Sequence, residues 1–314
     1  MSQKSSPISF SSGPLLFRKR IHATLTLLLP PLMVVLAVVF TGSTLVGSEI
    51  KKLAVIGFAL FCIGQLGITL GYHRLFSHQS FKAPNWIVVM LGIFGSMTAQ
   101  GPIINWVSDH RRHHAFGDAP GDPHSPYYDS DQQCTPLHGL RGLWHAQAGW
   151  IFSNTITNMA KYSPDLIRNK WVLKLSNTYF YWVGLGLLIP TLAGWAWIGG
   201  TRGAILGLFY GGFCRLFLSY HITWATNSLG HMIGSRDYNT DDKSTNVLLL
   251  GWFGFGEGWH NNHHAFPNSA RFGHRHFQFD PGWWVLRLWE KLGLISDINQ
   301  PTSEQIRRKR KGIE

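Results

Sequence analysis

Three short clusters of histidine mark where this chain could do chemistry: His73-Arg-Leu-Phe-Ser-His78, His110-Arg-Arg-His113-His114 and His260-Asn-Asn-His263-His264. Neutral imidazole binds iron, zinc, copper or nickel, and one metal rarely takes more than four protein ligands. Eight grouped imidazoles therefore point to two metals. At about 100° per helical residue, positions i, i+3 and i+4 fall within roughly 60° of one another. Each His-x-x-His-His box can thus aim three rings at one side of a helix. His73 and His78, at i and i+5, would stand about 140° apart on the same reckoning. That pair is expected where a helix ends, with the following turn bringing His78 round. Cys62, Cys134 and Cys214 form no Cys-x-x-Cys pair and read as buried apolar residues, not as a metal site or disulfide framework.

The elements that must position these rings are apolar. Charged residues make up only 14% of the 314 residues, well below a soluble domain's usual share, and Trp occurs 14 times. The fold class expected is an all-α integral membrane protein, a single domain over residues 1–314. Four spans fall at about 21–41, 53–72, 178–197 and 204–224, each near the ~20 residues a bilayer requires. A cytosolic helical cap, from about 74–175 and 226–314, carries the dimetal site. The apolar stretch Trp86 to Val107 decides the topology. If it crossed, His110 would face away from His78, so it is read as re-entrant or interfacial. Both termini and all three boxes are then cytoplasmic, in line with Arg18-Lys19-Arg20 and the C-terminal run Arg307 to Lys311. Lys51 and Lys52, in the outer loop, run against that rule. The net charge of +12 is read as lipid-facing, with no nucleic-acid partner. The first span reads as uncleaved, since no small-residue cleavage site follows it.

From about Gly67 to Leu294 the chain resembles the membrane fatty acyl desaturases of the stearoyl-CoA, Δ9 type. The resemblance rests on Gly67-Ile-Thr-Leu-Gly-Tyr-His-Arg-Leu-Phe-Ser-His78, Asn105-Trp-Val-Ser-Asp-His-Arg-Arg-His-His114 and Gly121-Asp-Pro-His124. Asn227-Ser-Leu-Gly-His231 and Gly256-Glu-Gly-Trp-His-Asn-Asn-His-His264 extend it. It implies two irons held by the eight box histidines (His73, His78, His110, His113, His114, His260, His263, His264) and His231, with Asn227 reaching metal through a water. Such ligands are neutral and favour a strongly oxidising centre. Their second nitrogens need acceptors, for which Asp109, Asp241 and, foremost, Glu257 are candidates.

The implied reaction is O2-dependent dehydrogenation of an acyl chain to a cis double bond. By the resemblance, Gln100, Trp106 and Thr223 bend the chain, Phe61 and Gln65 floor the tunnel, and Arg111 lies near the thioester headgroup. The basic pair that follows Gly-Trp in animal acyl-CoA desaturases is Asn154 and Thr155 here, after Gly149-Trp150. The loop between His124 and His145, carrying Asp129, Asp131 and Gln132, is longer. Acyl-CoA, an acyl chain on a membrane lipid and acyl carrier protein therefore all stand as substrates. No haem or iron–sulfur motif is present, so an external ferredoxin or cytochrome b5-like donor is expected. The alternatives are a histidine-box alkyl or lipid hydroxylase and a non-catalytic metal-binding membrane protein. A transporter would set its ligands on broken helices at mid-bilayer, whereas these boxes sit beyond the spans.

Overall fold

α1 (Pro14–Thr41) starts with proline, whose missing N–H costs no hydrogen bond at a helix start, and runs for 28 residues. α2 (Gly47–Leu66) is capped by Glu49, which accepts from the Val46 N–H at 3.2 Å. It continues without a break as a π-helix, Gly67–Ser77. In this computed structural model residues 8–10, 13–131 and 134–310 are described. Gln132 of the long loop and Lys311 of the basic run lie outside the described residues.

Three helical stretches are long and apolar enough to cross a membrane: Leu16–Thr44, Gly47–Ser77 and Tyr179–His231. The third and fourth spans expected from sequence both fall in the last of these, which is 53 residues long. It is no single rod. Gly199 (φ +119°) and Gly200 (φ +56°) turn the chain in conformations that only glycine adopts without strain. The two halves then pack so closely that a Cβ on Gly207 would lie 2.1 Å from the Pro190 carbonyl oxygen. Beside this turn sits the α1–α2 connection, joined to it by the Arg202–Glu49 ion pair at 3.0 Å and by Lys52 Nζ donating to the Trp197 carbonyl at 2.7 Å. Leu28, Leu32, Val35, Val39 and Phe40 on α1, Phe58 on α2, and Leu192 and Trp195 on the hairpin are exposed. An apolar belt of this kind suits lipid, not water.

The ambiguous stretch from Trp86 to Val107 forms two helices. α3 (Asn85–Ser96) has 12 residues, about 18 Å at 1.5 Å per residue and short of the ~30 Å hydrocarbon core. A bend through Ala99 (φ +57°) and Gly101 (φ +106°) then leads into α4 (Ile103–Phe116). α3 lies on the π-helix, where a Cβ on Gly67 would meet the Gly95 nitrogen at 2.1 Å. The bend leaves a helix-end carbonyl unpaired within the helix. Buried Arg215 satisfies it, donating to Met97 O at 3.2 Å and to Gly186 O and Gly211 O at 3.1 Å each.

The remaining segments join short helices with irregular chain. A small antiparallel ribbon pairs Ile8–Phe10 with Thr155–Thr157. Leu70, Phe81, Ile87, Leu91, Ala270 and Leu286 form one buried cluster that binds these segments to α3.

Candidate metal centre

The first box falls where a helix ends, as expected, and the helix there is a π-helix that stops at Ser77 with His78 as its cap. Its hydrogen bonds run from i to i+5, and the His78 N–H donates to His73 O at 3.1 Å. One π turn therefore stacks the two residues, with ring centroids 5.0 Å apart. α4 presents the second box. The third sits on a helix of only six residues, His260–Ala265.

The residues between the histidines act as struts. Arg74 is fully buried, bonds Asp280 at 2.8 Å and covers the Phe272 ring at 4.0 Å. The Asn261 side chain accepts from the Tyr238 N–H at 2.9 Å, while Asn262 donates to Phe272 O at 2.8 Å. Arg111 donates to Phe76 O, Ser77 O and Tyr162 O and makes a bidentate pair with Asp165. It thereby clamps the end of the first box onto α4. With its guanidinium so engaged, Arg111 is not among the residues that line the cavity.

Nine imidazoles converge in two groups. His73, His78, His110, His114 and His263 form one, and His113, His231, His260 and His264 form the other. Adjacent Nε2 atoms lie 3.0 Å apart for His73–His263 and His114–His263, 2.8 Å for His78–His110, 2.9 Å for His231–His260 and 3.3 Å for His113–His264. Ligand nitrogens at ~2.1 Å from a common ion would be separated by about 3.0–3.4 Å in octahedral or tetrahedral geometry. The donor set fits two transition-metal ions. Burial first, and neighbouring imidazoles second, hold His78, His110, His114 and His263 well below the ordinary imidazole pKa. The rings are thus neutral, as metal binding requires.

Four rings have a carboxylate on the outer nitrogen, which places the proton on Nδ1 and turns the Nε2 lone pair inward. Glu257 takes His73 and also accepts from the Thr69 hydroxyl. Asp122 takes His113 at 2.8 Å, Asp118 takes His231 at 2.7 Å and Asp242 takes His264 at 2.6 Å. Burial lowers the His264 pKa to about 4 despite Asp242. For His113 burial is again the largest influence and acts downward, but the charge and hydrogen bond of Asp122, together with the charges of Asp118 and Asp242, raise the pKa. Of the acceptors expected from sequence only Glu257 reaches a ring. Asp109 instead accepts from Thr157 at 2.5 Å, and Asp242 stands where Asp241 was expected. Asp118 was missed, and Asp122 lay unassigned inside Gly121-Asp-Pro-His124.

A cavity of about 360 Å³ with mainly apolar walls meets the first group at His110. Gln100, Trp106, His110, Thr223 and Asn227 line it, together with Arg18, His22 and exposed Phe180. Gln100 Nε2 donates to Thr223 Oγ1 at 3.1 Å, and the Trp106 ring stacks on His110 with centroids 5.1 Å apart. Asn227 belongs to neither imidazole group but shares the cavity wall with His110. Phe61 and Gln65 do not line the cavity. Phe61 packs edge-on against Phe255, and the Gln65 amide is enclosed in the helix core.

Helical membrane-type segments with two buried histidine groups fit to hold metal, beside a mainly apolar cavity, describe a class of enzyme that acts on lipid chains. The chain belongs to the fatty acid desaturase family, whose pattern matches residues 52–292. It is 40% identical to the hex-5-enoyl-(acyl-carrier protein) acetylenase of Moorena producens (strain JHB), over 80% of this chain and 78% of the relative. It is 36% identical to the sn-1 stearoyl-lipid 9-desaturase of Anabaena variabilis, over 80% and 86%. Identity to the Delta-9 acyl-lipid desaturase 2 of Arabidopsis thaliana is also 36%, over 80% and 76%. The protein is a fatty acyl desaturase of the Δ9 type, an oxidoreductase.

Proposed function

We propose that this desaturase holds two irons in its nine-histidine cage and forms a cis-Δ9 double bond in an acyl chain carried by a membrane lipid. One observation carries the reading: a cavity of about 360 Å³ with mainly apolar walls meets, at His110, two groups of imidazoles that could each hold a metal ion. Bound iron would supply the O2-reducing and C–H-oxidising power that no side chain possesses. The protein contributes the rest. Trp106, packed on His110, and the Gln100–Thr223 hydrogen bond shape the wall beside which the reacting carbons would lie. The nearly closed cage excludes water, and Glu257, Asp122, Asp118 and Asp242 keep four Nδ1 protons fixed. Their four negative charges would match two divalent ions, one hydrogen bond removed, so the neutral first ligands do not leave the metal charge wholly unbalanced. Asn227 is placed for a water-mediated contact.

The topology proposed is one domain with four crossings, α1, α2 and the two arms of the hairpin. α3 would be re-entrant, and the boxes and both termini cytoplasmic. The α1–α2 connection and the Gly199–Gly200 turn, joined at one end of the bundle, support this arrangement. Pairing with Glu49 and Trp197 accounts for Arg202 and Lys52 at the outer end. Acyl-lipid names among the relatives favour a lipid-borne chain, with acyl carrier protein or CoA as other carriers. Electrons would come from a ferredoxin or a cytochrome b5-like protein. Expression in a desaturase-deficient host, with mass-spectrometric location of new double bonds, should yield cis-Δ9 chains on membrane lipids. A hydroxylated chain, or no new product, would contradict the proposal.

A further inference from the structure

We propose that Arg112 anchors the carbonyl oxygen of the acyl group, and so sets which carbons lie beside the histidine cage. The inference rests on the acyl desaturase reading above. Arg112 lines the cavity yet is only 1% exposed. Its Nε donates to Gly121 O at 2.7 Å and its Nη1 to Thr157 Oγ1 at 3.2 Å. Nη2 has no hydrogen-bond partner among the described residues. A buried cationic donor without an acceptor is costly, and substrate in the cavity would provide the acceptor.

The surroundings select the kind of acceptor. Lys19 also lines the cavity, but it is occupied by Ser153 O and Thr155 O at 2.7 Å each. Asp109 shares this wall and is held by Thr157. One free donor nitrogen beside a carboxylate suits a neutral carbonyl. A phosphate would seek several donors and be repelled by Asp109. Asn105, Asp109 and Arg112 fall close to one stripe of α4, the helix that also carries Trp106 and His110. The distance from anchor to cage is therefore fixed by a rigid element, which makes Arg112 a measuring point for the position of the double bond.

The test uses the purified, iron-loaded full chain in lipid nanodiscs, with Arg112→Gln and Arg112→Lys. Substrates are a stearoyl glycerolipid, stearoyl-CoA and stearoyl-acyl carrier protein. Loss of one charge-assisted hydrogen bond should lower kcat/KM for Arg112→Gln by roughly 10- to 100-fold, through KM, with every carrier the wild type accepts. The double bond should also scatter over neighbouring carbons. Arg112→Lys should restore a single position, and both variants should keep the wild-type iron content. Unchanged KM and position would overturn the proposal. So would iron loss with the activity, which would make the Gly121 contact the whole role. A penalty confined to stearoyl-CoA would replace the carbonyl with phosphate and overturn it too.

A binding arm separates this from failure of the desaturase reading. Radiolabelled methyl stearate should bind wild type roughly tenfold tighter than octadecane does, and Arg112→Gln should lose that preference. No preference in wild type would reject the anchor even if the enzyme turns over. A preference without any turnover would instead reject the reaction.

Discussion

His263→Ala should reduce unsaturated product by roughly 100-fold or more while leaving the protein in the membrane at normal level. Loss of even an outer partner of a metal ligand costs 10- to 100-fold in many sites, and His263 stands closer than that. Its Nε2 lies 3.0 Å from the Nε2 atoms of both His73 and His114, so it joins the first and second boxes. Alanine would open one vertex of the five-ring group and leave two partners without their shared ion. His138→Ala is the control, since that exposed residue belongs to neither group. Product is measured by gas chromatography of total acyl chains, with membrane abundance by immunoblot. Comparable product from His263→Ala and His138→Ala would remove His263 from the site.

The carboxylates should divide the centre into its two halves. Glu257→Gln is expected to lower iron affinity at the five-ring group roughly 10- to 100-fold, because glutamine offers His73 no charge and a weaker acceptor. Asp242→Asn should do the same at the four-ring group through His264, which Asp242 reaches at 2.6 Å. Each variant should retain close to one iron per chain where its partner site is intact, and each should lose most of its activity. Iron titration of both proteins reads this directly. Wild-type affinity at both positions in either variant would show that these acids do not tune the metal.

Much of this centre was legible in the residues themselves. The His-x-x-His-His spacing turned three rings of each box toward the centre because α4 and the short helix at His260 keep ordinary helical spacing, although each box is then shared between the two groups. The meeting of His110 with His78 was the expectation placed on the stretch from Trp86 to Val107; the two rings do meet, and the stretch forms two helices with the break at Gly101-Pro102. Three matters were hidden. The π-helix at Gly67–Ser77 has no compositional signature, so the approach of His78 to His73 was assigned to a turn after the helix and not to π spacing. Asp118, Asp122 and Asp242 approach their rings through loops, whose paths periodicity does not encode; in the Asp241-Asp242 pair, sequence alone offered no ground for choosing the second. Arg111 and Arg112 are neighbours of the same type, but helical rotation sends Arg111 to Asp165 and Arg112 to the cavity.

The most direct measurement is iron per polypeptide in active, purified protein, taken alongside desaturation of the same preparation. Two irons per chain are expected, both lost with the activity on chelation and both restored with it. Full activity at one iron or none, or with zinc in place of iron, would contradict a histidine cage built for two redox metals.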